Sequence, residues 1–233
     1  MFEILRRTRP VSLVLALTML LASPIALPGC SAGGGKAGKA AATRTVGSLE
    51  RVQKTLVSGQ TQLYTLSGHV AEAVSPDATD ANAPLAIEPP SWFATFTKQR
   101  TAARKLSQRL SSDLKRFRTE RDAYVAGWES DLSRVTDPEL RAMARERRMN
   151  LNNRFDEVGN KLSEADQQMG PLLEQLDNLH IYLSNDLTPV GFAAMQSRLE
   201  EASQTAAILG DRFDDLAADV EDLAQDVGPR LSR

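Results

Sequence analysis

The chain has 233 residues, a net charge of −2, 25% charged and 5% aromatic residues, and a single cysteine. One cysteine excludes an internal disulfide framework, and the balanced charge argues against a nucleic-acid binder, whose affinity rests on neutralising phosphates. Many Ala, Leu, Arg, Asp, Glu and Gln residues, few aromatics and no β-branched runs favour long helices or coiled coils over sheets.

The N-terminus has three parts. Arg6, Arg7 and Arg9 form a basic head, residues 11–22 are almost continuously apolar, and Leu27-Pro28-Gly29-Cys30 closes the segment. A basic head, a short apolar core and a small residue before a cleavage point describe a secretory signal peptide over residues 1–29. The apolar run is too short for a spanning helix, which needs about 20 residues. Leu, Gly and Cys at positions 27, 29 and 30 resemble a bacterial lipobox, with Pro28 as a departure. Cys30 is therefore the expected lipidation site and membrane anchor. Each buried methylene adds about 0.8 kcal/mol, so a multiply acylated cysteine holds firmly. Residues 30–45, with Gly33 to Gly35 and a repeated Gly-Lys-Ala, read as a flexible tether. The expected location is the cell envelope, on the periplasmic side. With no Asp after Cys30, the outer membrane is favoured in a Gram-negative host.

Residues 46–233 form the expected helical domain. The first helix runs from about residue 46 to 74, with Leu49, Val52, Leu56, Gly59, Leu63, Leu66 and Val70 at three- and four-residue steps, which line one helix face. Residues 75–90 hold four prolines and read as a loop. A second helix starts near Ser91 as N-cap and carries Phe96, Ala103, Leu106, Leu110, Leu114, Phe117, Tyr124, Trp128, Leu132 and Val135. Its eleven-residue recurrences, 106 to 117 to 128, suit nearly straight packing. Asp137-Pro138 then marks a new start, since Pro at the first helical position behind an Asp cap is favourable. The third helix, residues 138 to about 183, carries an apolar stripe from Leu151 to Leu183 whose phase holds across Gly170-Pro171, predicting a kink there rather than a reversal. Thr188-Pro189 opens the fourth helix, whose stripe runs from Met195 to Val227. At 1.5 Å per residue the middle helices reach roughly 65–70 Å. No stripe is apolar all round, so the helices must pair. The expected fold is all-α, an elongated antiparallel bundle of long amphipathic, coiled-coil-like helices.

Charge is unevenly spread. Lys and Arg outnumber acids over residues 98–148, whereas only Lys161, Arg198 and Arg212 oppose the carboxylates of residues 156–226. The simplest expectation is that basic and acidic helices lie side by side and neutralise each other, with no nucleic-acid partner.

Motifs for catalysis are missing from the sequence. His69 and His180 are the only histidines and lack metal-ligand spacing, so they are expected on the surface or rim, with no metal and no cofactor. Asp211, Asp214, Asp215, Asp219, Glu221 and Asp222 lack the central Gly and terminal Glu of a calcium loop and read as a solvated helix face. There is no nucleophile elbow, and no acid pair stands out for glycoside cleavage. Two aromatic clusters remain. Trp92, Phe93 and Phe96 sit beside the Pro-rich loop, and Tyr124 and Trp128 lie one turn apart. Trp92, Phe93 and Trp128 are the candidates for contact with a partner, while core packing is the simpler use of Tyr124 and Trp128.

The lipobox, residues 123–132 (Ala-Tyr-Val-Ala-Gly-Trp-Glu-Ser-Asp-Leu), residues 137–141 (Asp-Pro-Glu-Leu-Arg) and residues 182–189 (Tyr-Leu-Ser-Asn-Asp-Leu-Thr-Pro) together resemble a bacterial lipoprotein family, domain of unknown function family 2959. The resemblance extends over nearly the whole chain after Cys30. It implies an envelope location and a helical form, and carries no activity. The expected function is a non-enzymatic envelope lipoprotein acting as a helical scaffold or spacer for a protein partner. The alternative is a lipid or small-molecule binding module with a pocket between helices near Trp128 and Pro171.

Overall fold

A computed structural model describes residues 36–74 and 87–228. Cys30, the signal-like segment, the first residues after it and residues 75–86 of the Pro-rich loop lie outside the described residues, while Pro89 and Pro90, read as loop, belong to a helix. Four helices follow in order: α1 (Lys36–Glu72), α2 (Pro89–Leu132), α3 (Pro138–Asn185) and α4 (Pro189–Val227).

Local chemistry sets three of the four starts. Pro89 and Pro90 open α2, where their fixed φ suits a helix and their missing N–H groups would have no partner anyway. The cap residue is Glu88, with no side-chain cap bond, so α2 begins slightly before the expected Ser91. At α3 the Asp137 carboxylate accepts the N–H groups of Glu139 (2.8 Å) and Leu140 (3.1 Å), with Pro138 behind it. At α4 the Thr188 hydroxyl accepts the Gly191 N–H at 3.2 Å. These bonds satisfy donors that the first helical turn leaves open.

Two boundaries differ from expectation. α1 begins at Lys36, so residues 36–45, read as tether, are helical. Ala41, Ala42 and Thr45 are buried there, and the Thr45 hydroxyl lies 3.1 Å from the Glu120 carbonyl of α2. Four Ala, two Lys and one Arg among these ten residues are good helix formers, and burial of Ala41, Ala42 and Thr45 against the bundle holds the turn that Gly38 weakens. α2 ends at Leu132, before Val135, where the backbone tightens so that the Arg134 and Val135 N–H groups donate three residues back, to Asp131 and Leu132. α3 continues through Pro171, as the unbroken apolar phase requires.

α1 packs on α2 and α4, and α3 packs on the same two helices from the other side. Cross-helix bonds fix the directions. Arg44 meets Glu120, Thr55 meets Asp113 and His69 meets Trp92, so α2 runs against α1. Arg104 to Asp177 and Arg121 to Asp156 reverse α3 against α2, and Lys161 to Asp219 reverses α4 against α3. Each helix is thus antiparallel to both neighbours, an up-down-up-down four-helix bundle. The basic face of α2 does meet carboxylates of α3, as the charge pattern predicts.

The core is one continuous column. Every member of the α1 stripe from Leu49 to Val70 is buried, as are the α3 stripe from Leu151 to Leu183 and the α4 stripe from Leu199 to Val227. Phe96, Phe117, Phe155, Phe192 and Phe213 are its largest fully buried side chains. The register also leaves one part uncovered. α4 reaches its end beside Arg154, which pairs with Asp226. The first three turns of α3 run on past that point, and Leu140, Met143 (62% exposed) and Met149 (58% exposed) stand open there.

Candidate functional site

The two ends of the bundle carry the chemistry-bearing side chains. At the end where α1 finishes and α2 begins, all four helices contribute to an aromatic cluster. His69 of α1 stacks on Trp92 of α2 at 5.1 Å, and Trp92 stacks on Phe96 at 5.2 Å. Phe192 of α4 meets the Trp92 ring edge-on at 5.3 Å. The Trp92 indole N–H donates to the His69 carbonyl at 2.8 Å, and His69 Nε2 donates back to the Trp92 carbonyl at 3.0 Å. His180 of α3 stacks on Phe93 at 5.0 Å. Burial lowers the His180 pKa from its ordinary value, Arg100 lowers it further, and Asp177 partly offsets both.

Trp92, expected as an exposed contact residue, is buried instead. It is 4% exposed, because starting α2 at Pro89 sets Trp92 in the first turn on the inward face. Its polar N–H is satisfied inside the cluster, as buried indoles require. Phe93 is half-buried against His180 and Phe96.

The other aromatic cluster lies at the opposite end. Trp128 is half-buried, edge-on to Tyr124 at 5.7 Å, and Tyr124 leads through Phe155 (5.9 Å) into the core. Trp128 and Pro171 do not share a pocket. Pro171 lies between Asp166 and Asp177, which bond Ser111 and Arg104 of α2. Trp128 stands about 30 Å further along the same helix at 1.5 Å per residue. A narrow cleft of about 120 Å³ lies elsewhere, between α1 and α2, lined by Leu63, Gln99, Ala103 and Leu106 among others.

A wider cleft of about 360 Å³ sits where α2 turns into α3, lined by Glu129, Leu132, Ser133, Arg141, Arg145 and Arg148. The Arg141 guanidinium donates to the Val135 carbonyl, which fixes it across the turn. Arg148 pairs with Glu129. Arg145 is exposed and has no ion pair among the described residues. Three guanidiniums thus face one carboxylate. The spacing of four and three that unites residues 141, 145 and 148 on one helix side is legible in sequence. It was hidden within the broader basic stretch.

Several acids expected on a solvated face reach neighbouring helices. Asp211 accepts from the Tyr64 hydroxyl at 2.5 Å, and Glu221 accepts from Gln53. That hydrogen bond to Asp211 is the main cause of a raised Tyr64 pKa. Asp219 bonds Lys161, whose pKa is raised chiefly by this contact and then by Glu157. Among the described residues, no group of three or more His, Asp or Glu side chains is placed to hold a metal ion. Nor is any helix there long and apolar enough to cross a membrane.

No curated protein and no solved structure matches the chain. The model of a family described as a protein of unknown function (DUF2959) matches residues 90–227, narrower than the resemblance read from the sequence because α1 falls outside it. The match begins in the first turn of α2 and ends on the last residue of α4, three of the four helices of the bundle, and the chain belongs to this family.

Proposed function

We propose that the protein is an exported bacterial lipoprotein, anchored through Cys30 to an envelope membrane, whose helical unit is a non-enzymatic scaffold or spacer for a protein partner. The observation that carries this reading is the continuous core. α3 alone has 48 residues, about 72 Å of helix, and its buried stripe repeats at every turn from Leu151 to Leu183. Close-packed interiors transmit load rather than yield, so such a column holds its two ends at a fixed separation. The signal-like segment and lipobox supply the anchor for one end.

Crosslinking in living cells followed by mass spectrometry tests the proposal. The expected result is acyl chains on Cys30 and recurrent crosslinks from exposed bundle residues to one envelope protein. Crosslinks scattered over abundant proteins, with none recurring, would overturn the scaffold role. An unmodified Cys30 would overturn the anchor.

A further inference from the structure

The helical unit has a polar difference between its ends that bears on how it meets a membrane. α1 starts at the same end as the α2–α3 turn. Arg44 and Thr45 bond Glu120, so counting back along two antiparallel helices sets Lys36 level with Trp128. The turn at residues 133–137 then lies only about 8 Å beyond the start of α1. Five residues lie between Cys30 and Lys36, and an extended chain over those six steps spans at most about 22 Å. An anchor at Cys30 therefore holds the turn within reach of the bilayer that receives the lipid.

The side chains at this turn suit that surface. Arg141, Arg145 and Arg148 line the cleft against a single carboxylate, Glu129. The other charges nearby are spoken for or face elsewhere. Asp131 lies 3.9 Å from Arg134, and Asp137 caps α3. Glu139 and Glu146 recur at seven residues and fall about 140° around α3 from the arginine side. Met149, 58% exposed, follows Arg145 by one turn on the same side, an apolar group beside a cation of the kind that settles at a headgroup boundary. Arginine forks match phosphate oxygens in pairs, and a partly shielded cleft screens them less than open water does.

We propose that the α2–α3 turn docks on an anionic phospholipid surface, with Arg141, Arg145 and Arg148 receiving lipid phosphate. This rests on the anchor reading above, since the anchor sets which end faces the bilayer. Docking would give the spacer a second foothold and fix the tilt of the bundle.

The test uses the full chain, reconstituted into vesicles of phosphatidylethanolamine with and without phosphatidylglycerol. An environment-sensitive dye on Thr136→Cys, an exposed turn position outside the cleft, reports docking. Mass spectrometry of Cys30 reports the anchor separately. The expected result is a blue shift that grows with phosphatidylglycerol content and fades with salt. Arg145→Gln, a change at an exposed residue without an ion-pair partner among the described residues, should weaken docking about fivefold. An acylated Cys30 with no difference between the two vesicle types would overturn the docking and leave the anchor standing. An unmodified Cys30, with the same salt-sensitive shift from a Cys30→Ser, Thr136→Cys chain in which only position 136 can take the dye, would overturn the anchor and uphold the cleft. Inorganic phosphate binding to the chain, with no response to either vesicle, would also overturn the docking.

Discussion

Gly59 offers the sharpest test of the packing. It lies on the buried stripe of α1, and a Cβ there would fall 2.7 Å from the Phe213 ring of α4 and 2.9 Å from Leu106 of α2. Phe213 is fully buried, so its ring has no solvent to move into. Two effects then compete in Gly59→Ala. Removing glycine from a helix interior favours folding by about 1 kcal/mol. Overpacking a closed core costs about 1–3 kcal/mol, and contact at 2.7 Å belongs at the upper end. The net expectation is a loss of about 1–2 kcal/mol. Gly68→Ala is the control, because nothing lies within 4 Å of its Cβ and only the helix gain of about 1 kcal/mol should appear. The two variants should thus separate by about 2–3 kcal/mol in urea titrations followed by helical circular dichroism. Phe213→Leu relieves the clash, so it should cost less in the Gly59→Ala background than in the parent, a coupling of about 1–2 kcal/mol. If Gly59→Ala matches Gly68→Ala in stability, α1 and α4 do not approach as closely as described, and the account of this glycine fails.

Three other outcomes follow from the same structure. Pro171 sits exposed inside α3 and removes one helical hydrogen bond, so Pro171→Ala should raise the urea midpoint, by up to about 3 kcal/mol in stability, without changing helical content much. Asp137→Ala removes the carboxylate that caps Glu139 and Leu140 and should cost about 1 kcal/mol, seen as faster amide exchange confined to the first turn of α3. His180 binds its proton more weakly folded than unfolded, because of burial and Arg100. The unfolded chain therefore takes up the proton first on acidification, and stability should fall as pH drops from about 6.5 through the lower folded value. His180→Gln should flatten that part of the pH profile, with His69 still present in both proteins. An unchanged profile would show that burial does not govern this histidine.

The helices and their inward faces were written in the sequence. A stripe such as Leu151 to Leu183 needs only the α-helical period to be seen, and the Asp137-Pro138 and Thr188-Pro189 starts are local chemistry that acts within one turn. What local pattern could not supply was the identity of each neighbour. Residues 36–45 look like a tether until Thr45 is found buried beside the Glu120 backbone of α2. Trp92 looks available beside its prolines until His69 and Phe192, from the first and last helices, close over it. Gly59 reads as a small gap in a stripe until the ring of Phe213 occupies it. Each of these depends on which helix lies opposite at which level, a relation between residues up to 154 positions apart that only the packed bundle decides. The arginine cleft stands between the two cases: the sequence holds its three residues in one line along α3, and the tertiary structure decides that this line is left open at the end where the chain enters the bundle.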